Sequence, residues 1–147
     1  PLVQERLNEY GMPFSTNGHT PEIVHFTSWI KDIDRVVAGL DVVALSSLNE
    51  GTPVSLIESQ ASNCPIVSTR VGGIEDIVLE NDTALLSPSE DDSALAENMA
   101  KLVSDSTLRE KMSHNGADYV TERFSYKTMV SNMHELYQKL LKEKSVL

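Results

Sequence analysis

The apolar run Asp41-Val-Val-Ala-Leu45 constrains the fold most, because it is as long as one strand and has almost no polar face. Successive side chains of a strand point to opposite sides of a sheet, so this run needs cover on both faces. The segments 23–27, 65–69 and 83–86 also have strand composition, and the segments between them have helical patterns. This alternation predicts an α/β fold in which a Rossmann-like parallel sheet of about four strands is flanked by helices.

Helical patterns also occur at both ends of the chain. A first helix is expected over residues 1–10, where Gly11 is suited to end it, and three helices are expected at the carboxyl end, over 93–104, 107–123 and 126–144. We further expect a helix after Asp32, a polar loop at 12–22 and helical structure over Ile74–Leu79. A doubly wound dinucleotide-type sheet has about six strands, so residues 1–147 are predicted to form a single, partial domain.

Composition excludes several classes of function. The net charge of −10 and the pI near 4.7 argue against a nucleic-acid partner, which needs a basic surface. Cys64 is the only cysteine, so no internal disulfide is possible, and we expect it to be a small buried side chain in a cytoplasmic protein. His114 and His134 have no companion ligand at metal-binding spacing, so neither a metal site nor a cofactor is predicted.

The segment after the first apolar strand carries the clearest functional signal, Glu50-Gly-Thr-Pro-Val-Ser-Leu-Ile-Glu58. Thr52 is a good N-cap and Pro53 suits the first helical position, so a helix is expected to begin there. The backbone N–H groups of Gly51, Thr52, Val54 and Ser55 then favour a phosphate. Two carboxylates repel phosphate, so Glu50 and Glu58 are assigned to hydroxyl groups. Phosphate together with hydroxyl groups predicts a nucleotide sugar as ligand.

Two other segments at the carboxyl ends of predicted strands are weaker candidates for contact with a ligand. Trp29 and Ile30 follow the segment 23–27 and are candidate neighbours of a nucleobase, although packing of Trp29 on the next helix is an equal alternative. Gly72 and Gly73 follow the segment 65–69 and allow either a close backbone approach to a ligand or only a tight turn. Arg70 beside them is suited to contact phosphate or to remain solvated.

The chain resembles the carboxyl-terminal, donor-binding domain of retaining glycosyltransferases of family four, which have the GT-B architecture of two Rossmann-like domains. The resemblance covers nearly the whole chain and rests on Val24-His-Phe26, Ala38-Gly-Leu-Asp41, Ser46-Ser-Leu-Asn-Glu-Gly-Thr-Pro-Val-Ser-Leu-Ile-Glu58, Pro65-Ile-Val-Ser-Thr69, Val71-Gly-Gly-Ile-Glu-Asp76 and Arg123-Phe-Ser125. Glutamates placed around Gly-Thr-Pro, between a buried strand and a second strand-glycine unit, are the most specific part.

The resemblance implies a role for each position. Glu50 contacts hydroxyls of the transferred sugar nearest the reacting centre, and Glu58 holds the ribose diol. Main-chain groups from Gly51 to Val54 lie near the diphosphate, apart from the N–H that Pro53 lacks, and Ser28 to Lys31 face the nucleobase. Retention is explained by front-face attack with the leaving phosphate as base, so Glu50 is catalytic without being a nucleophile. The resemblance also implies that no divalent metal is needed and that the acceptor is a glycan or a glycolipid.

Departures from the family pattern limit these implications. Ser28 and Ala84 stand where the family usually has glycine. The Arg and Lys pair that neutralises the diphosphate in the family would precede Pro1, and no acceptor-binding amino-terminal domain is expected on this chain. We therefore expect weak donor binding and no turnover by the chain alone, with a UDP-sugar favoured as the donor. Association of the intact protein with a membrane is a further expectation.

Two other classes of function remain alternatives. The apolar side of 126–144 is consistent with a non-catalytic binding or assembly module that pairs with a separate subunit or associates with itself through this helix. A glycoside hydrolase with Glu50 and Glu58 as acid and base is the other alternative, and it requires carboxyl groups about 5 to 9.5 Å apart across a sugar site.

Overall fold

The structure, a computed structural model, describes residues 2–16 and 23–144. The chain divides into two compact units, Pro1–Ile33 and Asp34–Leu147. The single partial domain proposed from the sequence stays a prediction. Pro1 and positions 17–22 of the expected polar loop lie outside the described residues.

The first unit contains helix α1 (Leu2–Glu9) and strands β1 (Phe14–Ser15) and β2 (Val24–His25). The helix ends as expected before Gly11, whose φ of +64° is left-handed. Strand β1 lies inside the segment that was expected to be a loop, so that expectation is wrong at this point. The two short strands pair in parallel, with Phe14 opposite Val24. Because β1 is two residues long, only its pairing with β2 distinguishes it from a loop.

The second unit is built on a parallel sheet in the order β3-β4-β5. The strands are β3 (Val43–Leu45), β4 (Ile66–Thr69) and β5 (Ala84–Ser87). Its helices are α2 (Ile33–Val37), α3 (Val54–Ala61), α4 (Asp92–Ser104), α5 (Ser106–Arg123) and α6 (Tyr126–Lys144). Helix α2 begins at the boundary between the units. Each strand expected here from the sequence is present. Parallel strands flanked by helices and a helical carboxyl end confirm the predicted fold class.

The sheet has a core on each face, as its apolar strands require. On one face Ile66 and Ala84 pack with Leu56 of α3. On the other face Val67 and Leu85 pack with side chains of α4 and α5. Neighbouring residues of β4 therefore belong to different cores, since the side chains of a strand alternate between its faces. This alternation explains why all four residues of β4 are buried.

Side chains cap three of the helices. The carboxylates of Asp91 and Asp105 each accept a hydrogen bond of 2.9 Å, from the N–H of Ala94 in α4 and of Leu108 in α5. Ser125 accepts one of 3.2 Å from the N–H of Thr128 and so caps α6, as expected. Polar side chains at these positions satisfy N–H groups that lack a partner inside the helix.

The helical structure expected over Ile74–Leu79 is a wrong prediction. The chain forms one 3₁₀ turn, Gly72–Ile74, and then a non-helical turn that leads to β5. Side chains from outside this segment bind two of its backbone groups. Gln60 donates to the carbonyl of Ile77 at 2.9 Å, and the N–H of Leu79 donates to Thr83 at 2.9 Å. The apolar spacing of Ile74, Ile77 and Val78 reflects burial of this turn in the core.

Cys64 is buried, as expected, at the start of the connection into β4. Burial raises the pKa of its thiol, and the nearby Asp41 carboxylate raises the pKa further. A thiol with a raised pKa carries little thiolate and is a poor nucleophile.

Helix α6 exposes its apolar side. None of its residues is buried, and its large apolar side chains from Tyr126 to Leu140 are between 43% and 71% exposed. The stripe at this spacing is therefore not buried in the described part of the protein. No helix among the described residues is sufficiently long and apolar to cross a membrane.

Gln60 supplies a test of the packing between α3 and its surroundings. It is 1% exposed, and its amide nitrogen bonds the Ile77 carbonyl. Gln60→Ala should lower the free energy of unfolding by about 2 to 3 kcal/mol, because it leaves that carbonyl unpaired and opens a cavity. Urea denaturation measures this change. Gln138→Ala on the exposed face of α6 is the matched control and should change it by less than about 0.5 kcal/mol. Equal effects of the two substitutions would contradict the role of Gln60.

Candidate functional site

Hydroxyl groups at the end of β4 bind the loop that connects β3 to α3 and fix its path. Ser68 donates to the carbonyl of Leu45 at 3.1 Å, and Thr69 donates to the carbonyl of Ser47 at 2.6 Å. Both donors lie on a buried strand. Strand β4 therefore holds the backbone beyond the end of β3, in the residues that lead to Glu50.

The Glu50-Gly51 peptide packs directly against Gly72 and Gly73. The N–H of Gly73 donates to the carbonyl of Gly51 at 2.8 Å. A Cβ atom at Gly72 would lie 1.7 Å from the Glu50 carbonyl oxygen, and one at Gly73 would lie 2.5 Å from the Gly51 carbonyl oxygen. Side chains do not fit at either position. The structure thus joins the two segments that the sequence indicated separately.

The contact explains why two glycines stand together after β4. Gly72 also has a φ of +54°, which residues with a Cβ adopt only at a cost. The sequence left open a close approach to a ligand or only a tight turn, and the structure shows a turn whose backbone lies against the protein's own Glu50-Gly51. A direct contact of Gly72 and Gly73 with a ligand stays a prediction.

The carboxylate of Glu50 is half-buried and is held by Ser47. The Ser47 hydroxyl donates to Oε1 of Glu50 at 2.6 Å. Sequence analysis did not single out Ser47. A serine three residues before the glutamate is the only local signal, and short hydrogen bonds of this kind are common in turns.

Helix α3 begins one residue later than expected, so the expected cap at Thr52 is wrong. Pro53 occupies the N-cap position with φ of −70° and ψ of 105°, and no side chain caps the helix. Proline fixes φ but leaves ψ free, so it does not by itself start a helix. Val54 and Ser55 are the first two residues of α3, and both are exposed. In contrast to α4, α5 and α6, this N-terminus leaves its N–H groups available to an anion.

Glu58 lies in the second turn of α3 and its side chain is exposed. It has no ion-pair partner among the described residues. Glu58, Glu50 and the Gly72-Gly73 turn all belong to the second compact unit. An exposed carboxylate on this helix is able to accept hydrogen bonds from the hydroxyls of a ligand.

Arg70 is partly exposed and binds two carboxylates, and its contact with phosphate stays a prediction. Its guanidinium donates to Glu75 and to Glu80 on the following turn. The hydrogen bonds to Glu80 and Glu75 raise the pKa of Arg70 above its usual value. The fork geometry of arginine suits this double contact, which joins the start and the end of the segment 70–80.

Trp29 and Ile30 lie in the first unit, after β2. The Trp29 side chain is 86% exposed, and its role beside a nucleobase stays a prediction. Ser28, where the resemblance implies glycine, has a φ of +54°. This is the left-handed conformation that glycine adopts most easily. Among the described residues, no three His, Cys, Asp or Glu side chains are arranged to hold a metal ion.

Comparison with known proteins identifies the family. Residues 16–119 match the family model of glycosyl transferases group 1. The chain is 33% identical over 104 residues to the capsular polysaccharide biosynthesis glycosyltransferase CapM of Staphylococcus aureus, covering 71% of this chain and 27% of CapM. It is 28% identical over 127 residues to N-acetyl-alpha-D-glucosaminyl L-malate synthase of Bacillus anthracis, covering 86% and 33%. The chain spans about a quarter to a third of the length of these relatives.

Solved structures show the same fold. The carboxyl-terminal domain of the group 1 glycosyl transferase LpcC from Francisella tularensis matches with a TM-score of 0.72 and 24% identity, over 85% of this chain and 62% of that domain. Anabaena HepE in complex with UDP-glucose matches with a TM-score of 0.78 and 19% identity, over 94% of this chain and 36% of HepE. The chain therefore belongs to the group 1 glycosyl transferases, with the fold of the carboxyl-terminal domain of a GT-B enzyme.

Proposed function

We propose that this chain binds a nucleotide-diphosphate sugar as the donor-binding part of a retaining glycosyltransferase. The contact between Glu50-Gly51 and Gly72-Gly73 carries the proposal. It fixes the backbone of Glu50, which precedes the uncapped N-terminus of α3. A carboxylate for hydroxyl groups and free N–H groups for phosphate are the two features that a nucleotide sugar requires.

The diphosphate is assigned to the turn between Glu50 and α3. Gly51, Thr52, Val54 and Ser55 supply the backbone N–H groups, and Pro53 supplies none. The aligned peptides of α3 make this end partly positive and so favour an anion. Arg70 is not assigned to the phosphates, because Glu75 and Glu80 already bind its guanidinium.

The two glutamates are assigned to the two sugars of the donor. Glu50 binds hydroxyls of the transferred sugar and is the residue nearest the reacting centre, while Glu58 binds the ribose diol. Trp29 and Ile30 are assigned to the nucleobase. In retaining transfer without an enzyme nucleophile, the leaving diphosphate accepts the proton of the attacking acceptor hydroxyl. The protein then contributes orientation and stabilisation of the charge that develops on the leaving group.

The donor is proposed to be a UDP-sugar and the acceptor a glycan or a lipid. Support for uridine comes from HepE, which was solved with UDP-glucose, and from Staphylococcus aureus TarM, which was solved with UDP. Support for a glycan product comes from the name of CapM, a capsular polysaccharide biosynthesis glycosyltransferase. Glycosyl transfer itself is proposed for the intact protein, and no metal ion or other cofactor is assigned to it.

An assembly module is the alternative function, and the exposed apolar side of α6 favours it. In this alternative the chain associates through α6 without transferring a sugar. Light scattering should then show a dimer that Leu136→Glu converts to a monomer, because the charge disrupts an apolar contact. Gln138→Glu, away from the apolar side of the same helix, is the control. A strict monomer at high concentration would count against this alternative.

Glu58→Ala tests the ribose assignment. Isothermal titration of the chain with UDP should show affinity about tenfold lower than that of the original chain, since a hydrogen-bonded carboxylate is lost. The original chain should also prefer UDP to 2′,3′-dideoxy-UDP, and the variant should lose this preference. Glu97→Ala, an exposed carboxylate on α4, is the control and should bind UDP normally. Unchanged UDP affinity in Glu58→Ala would show that the assignment is wrong.

Gly72→Ala tests the contact that carries the proposal. The added methyl group meets the Glu50 carbonyl, so the free energy of unfolding should fall by about 2 kcal/mol or more and UDP-glucose binding should weaken. Gly11→Ala is a matched control, because Gly11 has a φ of +64° but, apart from its chain neighbours, no described residue has an atom within 4 Å of the place that an added methyl group would occupy. It should cost about 1 kcal/mol, from backbone strain alone. If the two substitutions had equal effects in urea denaturation and titration, the contact would not matter.

A further inference from the structure

One side chain in the described part of the protein holds the Glu50 carboxylate, and that side chain is Ser47. Its hydroxyl donates to Oε1 at 2.6 Å, a short distance typical of a hydrogen bond to a charged acceptor. No ion pair involves Glu50 among the described residues. The bond to Oε1 therefore restricts the rotation of the carboxylate and leaves Oε2 for another donor.

Ser47 is itself held by the sheet. Thr69 is 5% exposed, and its hydroxyl donates to the Ser47 carbonyl at 2.6 Å. Thr69 is the last residue of β4, which lies between β3 and β5. Two consecutive short hydrogen bonds thus connect a buried strand to the carboxylate. A side chain fixed in this way keeps its geometry when a ligand arrives, so less conformational entropy is lost on binding.

A second Ser–Glu pair in the protein shows what an ordinary surface contact looks like. Ser131 lies 3.5 Å from Oε1 of Glu135 on α6, and both residues are exposed. Exposed contacts of this length add little to stability. The Ser47–Glu50 pair differs in its shorter distance, its partial burial and its connection to Thr69.

We propose that Ser47 is a positioning residue that holds the Glu50 carboxylate for the glycosyl group of the donor, and so helps to select nucleotide sugars over free nucleotides. The proposal rests on the proposed function, since it takes Glu50 as the group that meets the transferred sugar. Ser47 acts through Glu50 and does not touch the donor. Its loss should therefore affect the sugar end of the ligand and leave the nucleotide end unchanged.

Titration of the chain with UDP and with UDP-glucose tests this difference. Ser47→Ala should bind UDP-glucose about tenfold more weakly than the original chain and bind UDP with the same affinity. Ser47→Thr keeps the hydroxyl and should restore UDP-glucose binding to within about threefold. Ser131→Ala is the matched control and should leave both affinities unchanged. Equal loss for both ligands, or no loss for UDP-glucose, would overturn the proposal.

Amide hydrogen exchange supplies a measurement that needs no ligand. The N–H of Gly73 bonds the Gly51 carbonyl beside Glu50, whereas the N–H of Arg70 bonds the Ser87 carbonyl in the sheet, also at 2.8 Å. Ser47→Ala should speed exchange at Gly73 several-fold and leave Arg70 unchanged, because only the loop is loosened. Unchanged exchange at Gly73 would contradict the positional role of Ser47. If the original chain bound neither UDP nor UDP-glucose, the proposed function would be contradicted, and exchange at Gly73 would still decide whether Ser47 orders this loop.

Discussion

The site depends on one backbone contact, in which Gly72 and Gly73 lie against the peptide of Glu50 and Gly51. The two segments follow neighbouring parallel strands, so both leave the sheet at the same edge. Their backbones approach closely because neither glycine carries a Cβ atom. Side-chain hydroxyls of β4 then fix the loop on its other side, through Ser68 and Thr69. The position of the Glu50 carboxylate is therefore a property of the sheet and of two turns together.

Charge around this contact is dominated by carboxylates. Glu50 and Glu58 are the assigned ligand groups, and Arg70 is bound to Glu75 and Glu80. A diphosphate placed here depends mainly on backbone N–H groups, which attract an anion without needing a basic side chain. Helix α3 suits this task because no side chain occupies its N-terminus. In the proposed function the carboxylates are then left to bind the neutral hydroxyl groups of the donor.

Several parts of the fold could be predicted from local pattern. The apolar strands 41–45 and 65–69, the helices at the carboxyl end and the cap at Ser125 are strong local signals, and all are present. Two of the errors fall where residues outside the segment decide its structure. Strand β1 exists only through its pairing with β2, and the turn after Gly73 takes its backbone partners from Gln60 and Thr83. The start of α3 was misplaced because proline fixes φ while the surroundings set ψ.

The sequence by itself determined the fold class and the family resemblance, because apolar period and glycine placement are local properties, and it predicted the residues of the candidate site. Only the tertiary structure decided how those residues are combined. It brought Gly72 and Gly73 under Glu50, bound Arg70 to two carboxylates and revealed Ser47 as the partner of Glu50. The contact of Gly72 and Gly73 with Glu50 and Gly51 joins residues that are far apart along the chain, and a steric limit between such residues leaves no pattern in either segment alone. The bonds of Arg70 and Ser47 span ten residues or fewer, but the directions of the side chains decide them and the residue types alone do not.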